Sequence, residues 1–278
     1  MKEINYKLIV SDFDGTLIDD NQCVPQKVVE AINEYVECGG IFAVCTGRML
    51  CSILPRVREL GLKGLVIANQ GCVIADIESG KIIKDISLSY TDAYEICRNI
   101  EELGRYINIY CGDKIYTDIP KDNEYLQVYE RIIGVQTTFV EGKISQFVLN
   151  NSLDCHKVSC LVAPNERNKL YSELINRLGS RFDITCSAKV LVEVSPINET
   201  KGEAVKFLCK HFGVSIKHCI AVGDNLNDLS MIKVAGLGVA VGNADEQLKE
   251  QAHLITDTNN DGAIALIIKK YGFTQYYV

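Results

Sequence analysis

Short apolar runs alternate with amphipathic stretches from the start of the chain. Leu8-Ile9-Val10 has the pattern of a buried strand, and Pro25 to Cys38 carries Val28, Val29, Ile32, Tyr35 and Val36 at helical spacing. Pro25 suits the first turn of that helix, and Gly39-Gly40 stops it. A strand at Ile41-Phe42-Ala43-Val44, a helix from Leu50 to Leu60 and a strand at Leu65-Val66-Ile67-Ala68 come next. Continuous apolar strands separated by helices predict a parallel sheet covered on both faces.

The pattern changes between Ser79 and Lys189, where tyrosines and hairpin-like pieces accumulate. Helices are predicted at Thr91–Leu103, Asn123–Ile133 and Asn165–Leu178, and strands at Tyr106–Tyr110, Gln146–Leu149 and Lys157–Ala163. Val190–Val194 then resumes the short strand pattern. After it come a helix from Gly202 to Phe212, a strand at Ile220–Val222, a helix near Asp228–Val234 and a strand at Gly238–Val241. This order predicts an α/β fold: a Rossmann-like parallel sheet interrupted by an inserted α+β module.

Composition narrows the partners. With 29 basic against 36 acidic side chains the chain carries a net charge of −7, and no long Lys/Arg run offers a nucleic-acid footprint. No apolar stretch approaches the length of a membrane span, and the opening Met1-Lys2-Glu3-Ile4-Asn5-Tyr6 has no signal-peptide core. The 12 cysteines form no C-x-x-C pair and sit where small apolar residues fit, so they are read as reduced thiols of a cytoplasmic protein. Cys155, His156 and Cys160 match no common zinc spacing, and the four histidines show no catalytic pairing.

The loops after the strands are more informative, because open parallel sheets bind ligands at the carboxyl ends of their strands. Leu8-Ile9-Val10 leads into Asp12-Phe13-Asp14-Gly15-Thr16, Phe42-Ala43-Val44 into Thr46-Gly47-Arg48, and Ile220-Ala221-Val222 into Gly223-Asp224-Asn225-Leu226-Asn227-Asp228. Acids this close repel one another unless a cation or proton lies between them. Asp12, Asp14 and Asp224 can supply hard oxygen ligands to Mg²⁺, and one of these carboxylates could attack phosphorus. Thr46 and the Gly47 N–H could donate to phosphoryl oxygens, with Lys201 as the cation.

These loops resemble the motifs of haloacid-dehalogenase-superfamily phosphatases of the Cof-type group, which carry a large α/β cap. Asp12-Phe13-Asp14-Gly15-Thr16-Leu17 resembles the first motif, Thr46-Gly47-Arg48 the second, Lys201-Gly202 the third and Gly223-Asp224-x-x-Asn227-Asp228 the fourth. Gly238 to Ala244 and Asp261-Gly262-Ala263 resemble later segments of the group. The resemblance implies a hydrolase core at residues 1–84 and 189–278 and a cap at 85–188. It makes Asp12 the nucleophile and a Mg²⁺ ligand, and Asp14 the acid and base, with its main-chain carbonyl on the metal. Asp224 becomes the third ligand, and Asp228 holds the metal's waters or orients Lys201. Thr46, Gly47 and Lys201 would bind the phosphoryl group, and Asn227 substrate or phosphate. The usual Asn-Gly-Ala after the third strand reads Gln70-Gly71-Cys72 here.

The expected activity is Mg²⁺-dependent hydrolysis of a small phosphorylated metabolite, such as a sugar phosphate or a phosphorylated cofactor, through an aspartyl-phosphate. A phosphomutase shares that intermediate. A phospho-accepting signalling module would be about half as long and would not need the insert, and a non-catalytic binding relative would be expected to lack a motif residue. Tyr106, Tyr110, Tyr116 and Tyr129 could line a pocket, but their spacing suits half-buried core as well.

Overall fold

The structure, a computed structural model, describes residues 2–275, with the side chains of positions 187 and 188 outside that set. The chain runs β1 (Leu8–Asp12), α1 (Gln26–Glu37), β2 (Ile41–Cys45), α2 (Leu50–Glu59), β3 (Leu65–Ala68), β4 (Val73–Asp76) and β5 (Ile82–Asp85). An inserted segment comes next: α3 (Tyr90–Glu102), β6 (Asn108–Cys111), β7 (Lys114–Thr117), α4 (Glu124–Ile133), β8 (Thr137–Phe139), α5 (Ile144–Asn151), β9 (Lys157–Leu161), α6 (Pro164–Leu178), β10 (Phe182–Ala188) and β11 (Leu191–Pro196). The chain closes with α7 (Lys201–His211), β12 (Cys219–Gly223), α8 (Leu229–Val234), β13 (Leu237–Ala240), α9 (Glu246–Gln251), β14 (Leu254–Ile255) and α10 (Ala263–Ile267).

The first sheet has the order β14-β13-β12-β1-β2-β3-β4-β5. Its strands are parallel from β14 through β3, and β4 turns back antiparallel on β3. Every residue of β1 and β3 is buried, as continuous apolar strands covered on both faces require. In α1 the buried residues are Val28, Val29, Ala31, Ile32 and Tyr35, so the predicted stripe packs inward. Strand order reverses at β1, which pairs with β2 on one side and β12 on the other. Such a switch point opens a crevice at the carboxyl ends of the two flanking strands, and Asp12 and Asp224 stand at those ends.

The second sheet, β10-β11-β9-β6-β7-β8, belongs to the inserted unit. Its apolar side, with Ile109, Val158, Cys160, Val192 and Val194, packs with Ala93, Ile96, Val148, Leu170 and Leu174 in a core of its own. The chain divides into a unit formed by residues up to Lys84 together with those from Thr200 onward, and a unit spanning Asp85–Glu199. The fold is α/β, with a mainly parallel core sheet and an inserted α+β unit.

Several sequence expectations change here. Val190–Val194, expected to return the chain to the core, overlaps β11, which begins at Leu191 and pairs with β10 and β9. Val192 and Val194 face the inserted unit's own core, which holds the strand there and moves the return to Thr200. Gln146–Leu149, expected as a strand, lies within helix α5, where Ile144, Ser145 and Val148 are buried at helical spacing. Of the tyrosines, Tyr110 is fully buried and Tyr106 is exposed, while Tyr116 packs on the Phe147 ring. His156 Nε2 pairs with Asp85. Among the described residues, no helix is long and apolar enough to cross a membrane.

Candidate active site

Four loops of the first unit meet at the switch point, and each is positioned by its strand or helix cap. β1 delivers Asp12 at its last residue, 6% exposed. Thr200 caps α7 by accepting a hydrogen bond from the Glu203 N–H, which makes Lys201 the first residue of the helix. β12 ends at Gly223, and the next turn is closed by Asp228, whose Oδ2 accepts from the N–H groups of Asp224 and Asn225, each at 3.0 Å.

The buried Lys201 ammonium joins two of these loops. Its Nζ donates to Asp12 Oδ1 at 2.5 Å, to Asp228 Oδ1 at 2.6 Å and to the Cys45 carbonyl at 3.4 Å. Lysine is rarely fully buried unless its charge is paired, and here two carboxylates meet it. Burial works against the charged ammonium, but Asp12 and Asp228 outweigh it and hold Lys201 protonated well above the ordinary lysine range. Burial likewise raises the Asp12 carboxyl well above the usual carboxylate range. Asp228 adds to that rise and Lys201 opposes it.

Asp224 lies opposite, where Thr16 Oγ1 donates to its Oδ1 at 2.9 Å. Burial and then the Asp228 charge push the Asp224 carboxyl up to about 6. Carboxylate oxygens of Asp12, Asp224 and Asp228 all lie within 4.8 Å of one another, and they form the one such acid, histidine or cysteine cluster among the described residues. An oxygen-only donor set with this excess of buried negative charge fits a hard divalent cation. The side-chain cluster contains Asp228 beside Asp12 and Asp224, while Asp14 was expected on the metal through its main-chain carbonyl.

The Asp14 carboxylate instead faces Arg48, whose Nε and Nη2 donate to its two oxygens at 2.8 and 2.7 Å. The same guanidinium lies over the Phe13 ring, 5.5 Å from its centroid. Thr46 is buried, and its Oγ1 accepts from the Arg48 N–H at 3.2 Å. The structure therefore brings Asp12, Lys201, Asp224 and Asp228 together, with Thr46 and Gly47 on the adjoining loop and Asn227 in the turn beside Asp228. Sequence reasoning gave no role to Arg48, Thr16 or Asn243. Asn243 Nδ2 donates to the Gly15 carbonyl at 2.8 Å and so holds the first loop from the far side. Thr16 and Asn243 both stood inside recognised motifs, which was the available signal. The Arg48–Asp14 fork depends on side-chain directions that spacing does not reveal.

Known proteins resemble this chain over most of its length. The family model of haloacid dehalogenase-like hydrolases matches residues 9–268. The phosphatase YwpJ of Bacillus subtilis is 28% identical, with the match covering 95% of this chain and 99% of that protein. A second Bacillus subtilis protein, 5-amino-6-(5-phospho-D-ribitylamino)uracil phosphatase YwtE, is 27% identical over 97% of this chain and 99% of its own. The solved structure of a haloacid dehalogenase-like hydrolase from the same organism superposes with a TM-score of 0.84 at 27% identity, covering 95% of this chain and 99% of that one. The chain belongs to the haloacid dehalogenase-like hydrolase family, and it is an enzyme of the phosphoric monoester hydrolase type.

Proposed function

We propose that this enzyme hydrolyses small phosphate monoesters with Mg²⁺ as cofactor and Asp12 as nucleophile. The observation that carries the reading is the buried group at the switch point: Asp12 held by Lys201, with Asp224 and Asp228 within 4.8 Å. In the first step an Asp12 carboxylate oxygen forms a bond to phosphorus while the bond from phosphorus to the leaving oxygen breaks. Asp14 gives that oxygen its proton. In the second step a water oxygen attacks phosphorus, Asp14 takes the water's proton, and Asp12 departs as carboxylate with release of inorganic phosphate.

Asp12, Asp224 and the Asp14 main-chain carbonyl would hold the cation, which when bound offsets the repulsion between the nucleophile and the phosphoryl oxygens. Lys201 places a fixed positive charge beside Asp12, where negative charge gathers on the transferring group. Thr46 and Gly47 are proposed to offer a hydroxyl and a backbone N–H to the remaining oxygens. Asp14 must leave its fork with Arg48 to reach a leaving oxygen, and its side chain is 45% exposed, with room to turn. The inserted unit is proposed as the cap, the source of leaving-group selectivity. Relatives named for 5-amino-6-(5-phospho-D-ribitylamino)uracil and for HMP-PP support a phosphorylated metabolite as substrate.

The test is phosphate release from a panel of phosphate monoesters, with and without EDTA and with Asp12→Asn. Turnover that EDTA stops, Mg²⁺ restores and Asp12→Asn abolishes is expected. Retained activity in pure Asp12→Asn protein, or indifference to chelation, would overturn the mechanism.

A further inference from the structure

Between β3 and β4 the backbone takes three left-handed steps in a row, at Asn69 (φ 49°), Gln70 (φ 60°) and Gly71 (φ 121°). Two of these residues are not glycine, and such a conformation costs each about 1 kcal/mol or more unless its surroundings impose it. The surroundings here are the phosphate-side loops. The Asn69 N–H donates to the Arg48 carbonyl at 2.8 Å, and the Gln70 N–H to the Thr46 carbonyl at 3.1 Å. Gly71 lies so close to the capping residue of α7 that a Cβ there would stand 2.6 Å from the Thr200 carbonyl oxygen.

The buried Gln70 side chain continues this bracing. Its Oε1 accepts a long hydrogen bond from Asn227 Nδ2 at 3.4 Å. Its Nε2 covers the Gly47 α-carbon, where a Cβ would come within 2.6 Å of it. One residue thus touches the second-motif loop through both backbone and side chain, and the fourth-motif loop through Asn227. Its neighbour abuts the residue that caps Lys201. The three segments that carry Gly47, Lys201 and Asn227 are separate in sequence, and the 69–71 turn is packed against all of them.

We propose that Gln70 is a positioning residue for the phosphoryl site: its amide sets the placement of the Gly47 N–H and of the Asn227 amide. The inference rests on the phosphatase reading above and adds a residue to it. Because the bracing acts on the phosphoryl side, its loss should affect every ester in the same proportion and leave cation binding alone. A purely structural turn would show up in stability, and a leaving-group contact would show up in the ranking of esters.

The experiment compares the full-length protein with Gln70→Gly, which accepts a left-handed backbone and removes the amide, and with Gln70→Glu, which keeps an acceptor for Asn227 but puts a negative charge over Gly47. Readouts are kcat/KM on several esters, inhibition by orthovanadate, Mn²⁺ affinity and thermal midpoint. In Gln70→Gly we expect kcat/KM to fall about tenfold on every ester, as for the loss of one hydrogen bond's worth of placement. Orthovanadate inhibition should weaken by a similar factor, with Mn²⁺ affinity and midpoint unchanged. Gln70→Glu should weaken orthovanadate further, and adding Asn227→Ala to Gln70→Gly should cost less than the product of the two single losses.

Unchanged kcat/KM and orthovanadate inhibition in Gln70→Gly would overturn the proposal. So would a loss confined to one ester, or a parallel loss of Mn²⁺ affinity. If the wild-type protein released no phosphate from any ester, the phosphatase reading would fall. Direct orthovanadate binding to the wild type and Gln70→Gly, read by titration calorimetry, would then still decide whether Gln70 positions an oxyanion site.

Discussion

Lys201 donates from one ammonium to Asp12 at 2.5 Å and Asp228 at 2.6 Å, and all three side chains are almost wholly removed from solvent. Two buried carboxylates next to Asp224 would be untenable without that cation, so the lysine is as much a structural counter-charge as a candidate phosphoryl contact. The first prediction comes from this dual position. Lys201→Met should remove most activity and also destabilise the metal-free protein by about 3–5 kcal/mol, the usual result of stripping one partner from a buried ionic group. Saturating Mg²⁺ should return part of the lost stability, because a bound cation replaces the missing charge. Urea unfolding with and without Mg²⁺ reads both effects, and equal destabilisation in the two conditions would count against a shared cation site.

A second prediction concerns pH. Asp224, at about 6, and Asp12, raised in the same direction, hold their protons to higher pH folded than unfolded, where an aspartate titrates near 4. Between those values the folded protein binds more protons. The Asp224 contribution to stability is therefore full below about pH 4 and is lost as pH rises through about 6, and Asp12 acts in the same direction. Cation binding needs the ionised forms, so it should run the other way. The thermal midpoint without metal should fall from about pH 5 to about pH 7, while the increment added by Mg²⁺ should grow. Asp224→Asn should flatten both trends, and a metal-free midpoint that climbs over this range in a variant-independent way would contradict the assignment.

How much of this could be read from sequence depends on where the constraints lie. β1, β2 and β12 were legible because a strand buried on both faces must be continuously apolar, and the polar loop after it is abrupt. Asp12, Thr46 and Asp224 inherit that clarity. The inserted unit was harder because its strands are short and polar on one side. Glu193 and Lys157 lie in β11 and β9 and pair only with each other's strand in place. Phe147-Val148-Leu149 is an apolar run too short to tell a strand from a helix. The Arg48–Asp14 fork and the Gln70–Asn227 contact join residues 34 and 157 positions apart. No periodicity encodes such contacts; they exist only once the sheet order brings the loops together.

The last prediction tests the first loop. Gly15 sits at φ 80°, and a Cβ there would stand 2.7 Å from Asp224 Oδ2. The chain turns tightly after Asp14 because Gly15 accepts the left-handed conformation, while its carbonyl is held by Asn243 and its neighbour Thr16 holds Asp224. Gly15→Ala would strain the backbone and push directly on a carboxylate of the acidic cluster. The expected outcome is a loss of Mg²⁺ affinity of about tenfold or more, with a stability cost of about 1–3 kcal/mol. Asn243→Ala frees the same carbonyl without touching Asp224 and should weaken Mg²⁺ binding much less. Titration calorimetry on the two variants separates the mechanisms. Equal losses would mean that anchoring of the loop, rather than room beside Asp224, governs the cation site.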